Sequence, residues 1–140
     1  MISHARSATL LRVDAALCAA CGLPGLVAPA WLAGFLLPHR EFVLGLPAAT
    51  VLWELGILLV AYAVLLLLAS ARPALDRPVL AVTAVADAGW VIGTFALVAA
   101  FPDSFSGWGI VALAVVALDT AFVGLWKLRL LRSGNPALAV

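Results

Sequence analysis

Long apolar runs alternate with short polar breaks along this chain, and the runs have membrane length. A helix needs about 20 apolar residues to cross a hydrocarbon core roughly 30 Å thick. Four stretches reach that length, at 8–28, 48–70, 79–101 and 108–131. Each boundary carries its own stop or start signal. Pro73 disfavours helix at Arg72 and closes the second run. Pro78 stands in the first turn of the third run, where its missing N–H costs nothing. Phe101-Pro102-Asp103-Ser104 closes that third run, and Asp103, Ser104 or Ser106 can cap the fourth. Backbone polar groups must be satisfied within lipid, which selects helices over any irregular crossing. The predicted fold class is an all-α membrane protein, a four-transmembrane-helix bundle in one domain over residues 1–132.

The first run is the least regular. Gly22-Leu23-Pro24-Gly25 and Pro29 interrupt it, so a kink near Pro24 is expected. A short interfacial helix at 29–37 should follow, with Trp31 and Phe35 at headgroup level. A cleavable signal peptide is the competing reading, because Ala28-Pro29-Ala30 resembles a small-residue cleavage site. Arg12 and Asp14 count against it, since they interrupt what should be a clean apolar region. The segment 133–140 reads as a short disordered tail.

Composition agrees with the pattern. Of 140 residues, 66% are hydrophobic and 11% charged, and the mean hydropathy is +1.19. Too few polar residues exist to coat a soluble core, which excludes a soluble enzyme and a disordered chain. A formal net charge of +1 excludes a nucleic-acid binder. Charge placement gives orientation instead. Arg6, Arg12, Arg72, Arg77, Lys127, Arg129 and Arg132 fall on one side, against Arg40 alone on the other. Both termini are therefore expected in the cytoplasm, with the protein multi-pass in a bacterial inner membrane.

Candidate chemistry lies in the acidic residues. Four of the seven fall one per span: Asp14, Glu54, Asp87 and Asp119. A carboxylate at mid-bilayer costs on the order of 3 kcal/mol on insertion scales. At 1.5 Å per residue Asp87 lies roughly 15 Å from Arg77, and Asp119 roughly 16 Å from Trp108, so both are near the midplane. Glu54 lies nearer the outer side and Asp14 nearer the inner, where Arg12, Lys127 or Arg129 can pair with it. In the third span Thr83, Asp87, Trp90 and Thr94 make one stripe. Thr50 and Glu54 share a face of the second span with Tyr62 one step round, and Asp14, Cys18, Cys21 and Gly25 line up in the first. Each polar stripe should point into the bundle, because lipid offers it no partner.

Two readings of these stripes stay open. One is a buried acidic site handling protons, cations or acid–base chemistry, with Asp87, Glu54 and Asp119 as its working groups and Trp90, Thr83, Thr94 and Tyr62 as its binding groups. The other is interhelical hydrogen bonding that holds the helices together. Cys18-Ala19-Ala20-Cys21 forms a CxxC that could ligate a soft metal, or serve as two small packing residues. Gly89 and Gly93 form a GxxxG, expected to bring two helices close within the bundle or in a homodimer. There is no Ser-His-Asp set, no histidine within a span and no cofactor fingerprint, so no cofactor is expected.

Two family resemblances bear on the reading. Cys18-Ala-Ala-Cys21 with the glycines and proline after it looks like the first span of the MerC-type mercury transport proteins. That resemblance implies Cys18 and Cys21 as ligands of mercuric ion; the further cysteines that family often carries after its last span are missing here. Over the whole length, Leu11-Arg12-Val13-Asp14-Ala15, Tyr62-Ala63, Ala71-Arg72-Pro73, Asp87 with Trp90-Val91, and Gly124-Leu125 resemble a group of uncharacterised small bacterial four-helix integral membrane proteins. Asp87 stands where that group usually carries asparagine. The resemblance implies the fold and no particular chemistry.

Three functions follow as expectations. The first is an accessory or assembly subunit with a membrane protein partner. The second is a small carrier for protons, cations or a soft metal. The third is a membrane-embedded acid–base enzyme acting on a lipid or isoprenoid, with Asp87 or Glu54 as general acid near Trp90. The partners that go with them are the lipid bilayer, a membrane protein or second copy, and a hydrophobic or cationic ligand.

Overall fold

The computed structural model describes residues 4–43 and 45–133. Its α-helices and strands in chain order are α1 (His4–Val27), α2 (Pro29–Leu36), β1 (Phe42–Val43), β2 (Leu46–Pro47), α3 (Ala48–Ser70), α4 (Asp76–Ala100) and α5 (Gly107–Ser133), with single 3-10 turns at Pro73–Leu75 and Pro102–Ser104. The helices α1, α3, α4 and α5 are each long and apolar enough to cross a membrane. Their outward faces carry large apolar side chains; Val27, Val85 and Trp108 are 80%, 74% and 73% exposed. In water that surface would drive aggregation, and in lipid it is solvated.

The expected span of α3 matches; the others begin one to four residues earlier, and α1 and α4 also end one residue sooner. Helix α1 begins at His4 and runs through Pro24 to Val27, and it ends at Ala28, whose N–H still bonds the Pro24 carbonyl at 3.0 Å. Helix α2 follows with Pro29 at its first position. Trp31 and Phe35 stack there with ring centroids 5.6 Å apart. A two-stranded antiparallel ribbon pairing Phe42 with Pro47 and Val43 with Leu46 was not foreseen. Gly45 makes its turn at φ +80°, a region only glycine enters without strain. Of the three candidate caps for α5, Ser106 is the one used: its hydroxyl accepts from the Gly109 N–H at 2.8 Å. The proposed tail beyond Ser133 lies outside the described residues.

Packing divides the spans into two close pairs, α1 with α3 and α4 with α5, while α3 and α4 scarcely touch despite their short connection. The α1–α3 seam is made by glycines. A methyl group on Gly25 would lie 2.6 Å from the Leu52 carbonyl oxygen, and one on Gly56 2.8 Å from that of Gly22. The backbones therefore meet directly, the contact that small residues permit in membranes. Gly89 and Gly93 do not play that part: nothing lies within 4 Å of an added Cβ at either position. The apolar core gathers Leu10, Leu11 and Ala15 of α1, Ala63 and Leu66 of α3, Leu80 of α4 and Val123 of α5.

Candidate functional site

The buried face of α4 begins with Leu80, Thr83, Ala84 and Asp87. That of α5 runs along Gly109, Ala117, Val123, Gly124 and Lys127, mostly small residues ending in a cation. Small side chains let α5 approach α4 so closely that a methyl group on Gly124 would lie 3.2 Å from Asp87 Cβ. On the far side, α1 presents Asp14, with Ala15 beside it in the core.

These three helices meet at Lys127. Its ammonium donates to Asp14 Oδ2 at 2.5 Å and to Asp87 Oδ2 at 2.6 Å. The lysine side chain is 0% exposed and each carboxylate side chain 7% exposed. Asp14 Oδ1 accepts a weak hydrogen bond from the Cys18 thiol at 3.7 Å. The Tyr62 hydroxyl, on α3, is buried with no hydrogen-bond partner among the described residues, and it lies within electrostatic reach of both carboxyl groups. Thr83, one turn before Asp87, directs its own hydroxyl to the Val79 carbonyl at 2.8 Å.

Fully desolvated charges are stable only when paired, and separating them is far more costly than at a wet surface. This cluster contains two carboxyl groups and one ammonium group. With all three ionised its sum is one negative charge; with one added proton its sum is zero. The carboxyl groups thus outnumber their cation by one. The three groups also join α4 and α5 to α1, two helix pairs that otherwise share few contacts.

The remaining sequence candidates lie elsewhere. Glu54 is exposed on α3, contrary to the expectation that every polar stripe turns inward. Its position opposes the glycine seam, which claims the inward face of α3 for Gly56. Asp119 is half-buried and interacts electrostatically with Cys21 rather than with Asp87. Trp90 and Thr94 continue the Asp87 stripe but are only half-buried, because α4 turns that part of its face toward the periphery. Cys18 is half-buried and Cys21 exposed, both as free thiols. Among the described residues no group of three or more His, Cys, Asp or Glu side chains could hold a metal ion.

Lys127 is one of the three partners expected for Asp14, and the ion pair bears that expectation out. It also counts among the charges expected on the cytoplasmic side, but it is fully buried, and its second bond, to Asp87, lies outside the expectation.

At the opposite end, polar contacts are made by loops. Ser106 donates through its hydroxyl to the Phe35 carbonyl at 2.5 Å and through its N–H to that of Leu36 at 3.0 Å. Arg40 donates to the Ser104 hydroxyl at 2.9 Å and lies 5.9 Å from the Phe101 ring centroid. At the end where the chain begins, His4 Nδ1 lies 2.9 Å from Asp76 Oδ2, and Arg12 reaches Ser70 at 3.5 Å.

Compared with known proteins, the chain matches no family model, no curated protein and no solved structure.

Proposed function

We propose that this multi-pass membrane protein is a small carrier that works by taking up and releasing a proton at Asp14, Lys127 and Asp87. The observation behind the reading is the buried ammonium held between two carboxyl groups from different helices. Such residues within spans line proton and ion pathways far more often than their cost would allow by chance. Two carboxyl groups to one ammonium leave room for an exchangeable proton, and the Tyr62 hydroxyl is a buried donor within electrostatic reach of both carboxyl groups. Because the cluster joins the two helix pairs, a change in its charge bears directly on how those pairs pack. That is the kind of coupling alternating access requires.

The protein is assigned in this reading to a bacterial inner membrane with both termini cytoplasmic. Withdrawing Lys127 from the count leaves six basic residues against Arg40, so the asymmetry that sets orientation survives.

Reconstituted vesicles carrying a pH-sensitive dye test the carrier. An imposed proton gradient should collapse faster than in protein-free vesicles, and Asp87→Asn should slow it to the protein-free rate while helicity is retained. Gradient collapse indistinguishable from empty vesicles, or unchanged by that substitution, would refute the reading.

A second reading, an accessory subunit, rests on Glu54. An exposed carboxylate within an apolar span is suited to a cation or donor on a partner's helix. Native mass spectrometry of protein released gently from its own membrane should then show a stoichiometric second protein, lost on Glu54→Gln.

A further inference from the structure

We infer that the gap between α3 and α4 is a binding site for one anionic phospholipid, with an acyl chain in the gap and its phosphate on Arg72. Helices joined by a short connection ordinarily pack against each other. Here α3 goes to α1 and α4 to α5, leaving a groove of about 460 Å³ between them, within the size range of ligand pockets. Leu65 and Leu68 form one wall and Val79 and Val82 the other, with the Tyr62 ring at the inner end. From Ala69 to Tyr62 the groove extends roughly 10 Å along α3.

Its walls are almost wholly apolar, and it lies between two spans, so what reaches it is a hydrocarbon chain from the bilayer. Charge at the mouth selects which lipid. Arg72 lines the groove just beyond the end of α3, exposed, and its guanidinium has no partner among the described residues. Arg77 is exposed in the first turn of α4. The nearby carboxylate, Asp76, is hydrogen-bonded by the His4 ring and is one negative charge against two guanidinium groups, so the mouth stays basic. A basic mouth over an apolar shaft matches a phosphodiester headgroup above an acyl chain, since each basic residue near the surface favours anionic lipid.

The experiment is native mass spectrometry of the delipidated full chain in neutral detergent. Phosphatidylglycerol or phosphatidylcholine of identical acyl chains is added. The wild-type protein should retain one phosphatidylglycerol in preference to phosphatidylcholine. Arg72→Gln should lower that retention about fivefold, and Arg72→Lys should largely keep it. Val82→Trp, at a lipid-exposed position, should fill the groove and displace the lipid with helicity unchanged. Excess inorganic phosphate should not compete, because the chain carries much of the affinity. Equal retention of the two lipids, retention unaffected by Val82→Trp, or displacement by phosphate alone would overturn the inference. None of these readouts depends on proton movement, so failure here leaves the carrier reading standing and the reverse.

Discussion

Along α1, two interfaces lie about 12 Å apart. At Gly22 and Gly25 the helix meets Gly56 of α3 backbone to backbone. At Asp14 it reaches α4 and α5 through the ammonium of Lys127. Lipid gives helices no hydrophobic reason to associate, so each interface must supply attraction of its own. The glycine seam does so by dispersion over a long, close contact that depends on shape alone. The charged junction depends on protonation state and on every member being present. A seam of the first kind contains no titratable group, whereas the proposed carrier rests on a junction of the second kind.

Substitutions should separate the two. Lys127→Met should have the largest effect, because it leaves two buried carboxyl groups without their cation; a loss of about 3–5 kcal/mol is expected in detergent unfolding titrations. Gly25→Leu should come next, at roughly 1–3 kcal/mol, since its side chain has only the Leu52 carbonyl to occupy. That variant should retain the junction's proton exchange, followed by the infrared band of a protonated carboxyl. Ser106→Ala, which removes the cap of α5 and the bond to Phe35, should cost about 1 kcal/mol. The smallest effect is predicted for the triple replacement Asp14→Asn, Asp87→Asn and Lys127→Met. It removes every charge together and should unfold within about 1 kcal/mol of wild type, yet exchange no proton. A triple variant as unstable as Lys127→Met alone would show that the charges are needed for folding itself.

The spans were legible because their cause is local. Twenty apolar residues ended by Pro73 or by Pro102 specify a helix whatever its neighbours do, and α3 begins and ends where that pattern places it. Asp14 and Asp87 were legible as costly residues that need partners. Their meeting point was not, because it depends on which helices adjoin, and α1 and α5 are brought together by contacts far apart in sequence. Lys127 was legible as a partner for Asp14 but not as a buried one. A lysine near the end of a span ordinarily extends its ammonium toward water, whereas this one is enclosed where α5 approaches α4 closely at Gly124. Glu54 failed the inward rule because Gly56 already claims the inner face of α3. The ribbon at Phe42–Val43 and Leu46–Pro47 was missed because strands of two residues carry no periodic signal.

The separation between Asp14 and Lys127 has a consequence for biogenesis. The two residues are 113 positions apart, so at ordinary translation rates on the order of ten seconds pass before the lysine follows the aspartate out of the ribosome. Within that interval α1 and α3 can already close their glycine seam, which needs nothing from the rest of the chain. Asp14 meanwhile lacks the ammonium that it meets in the finished fold. A nascent chain arrested before Lys127 is thus a half-built membrane protein with an unanswered acid in its first helix. Quality-control proteases could distinguish it from the finished molecule by that one residue.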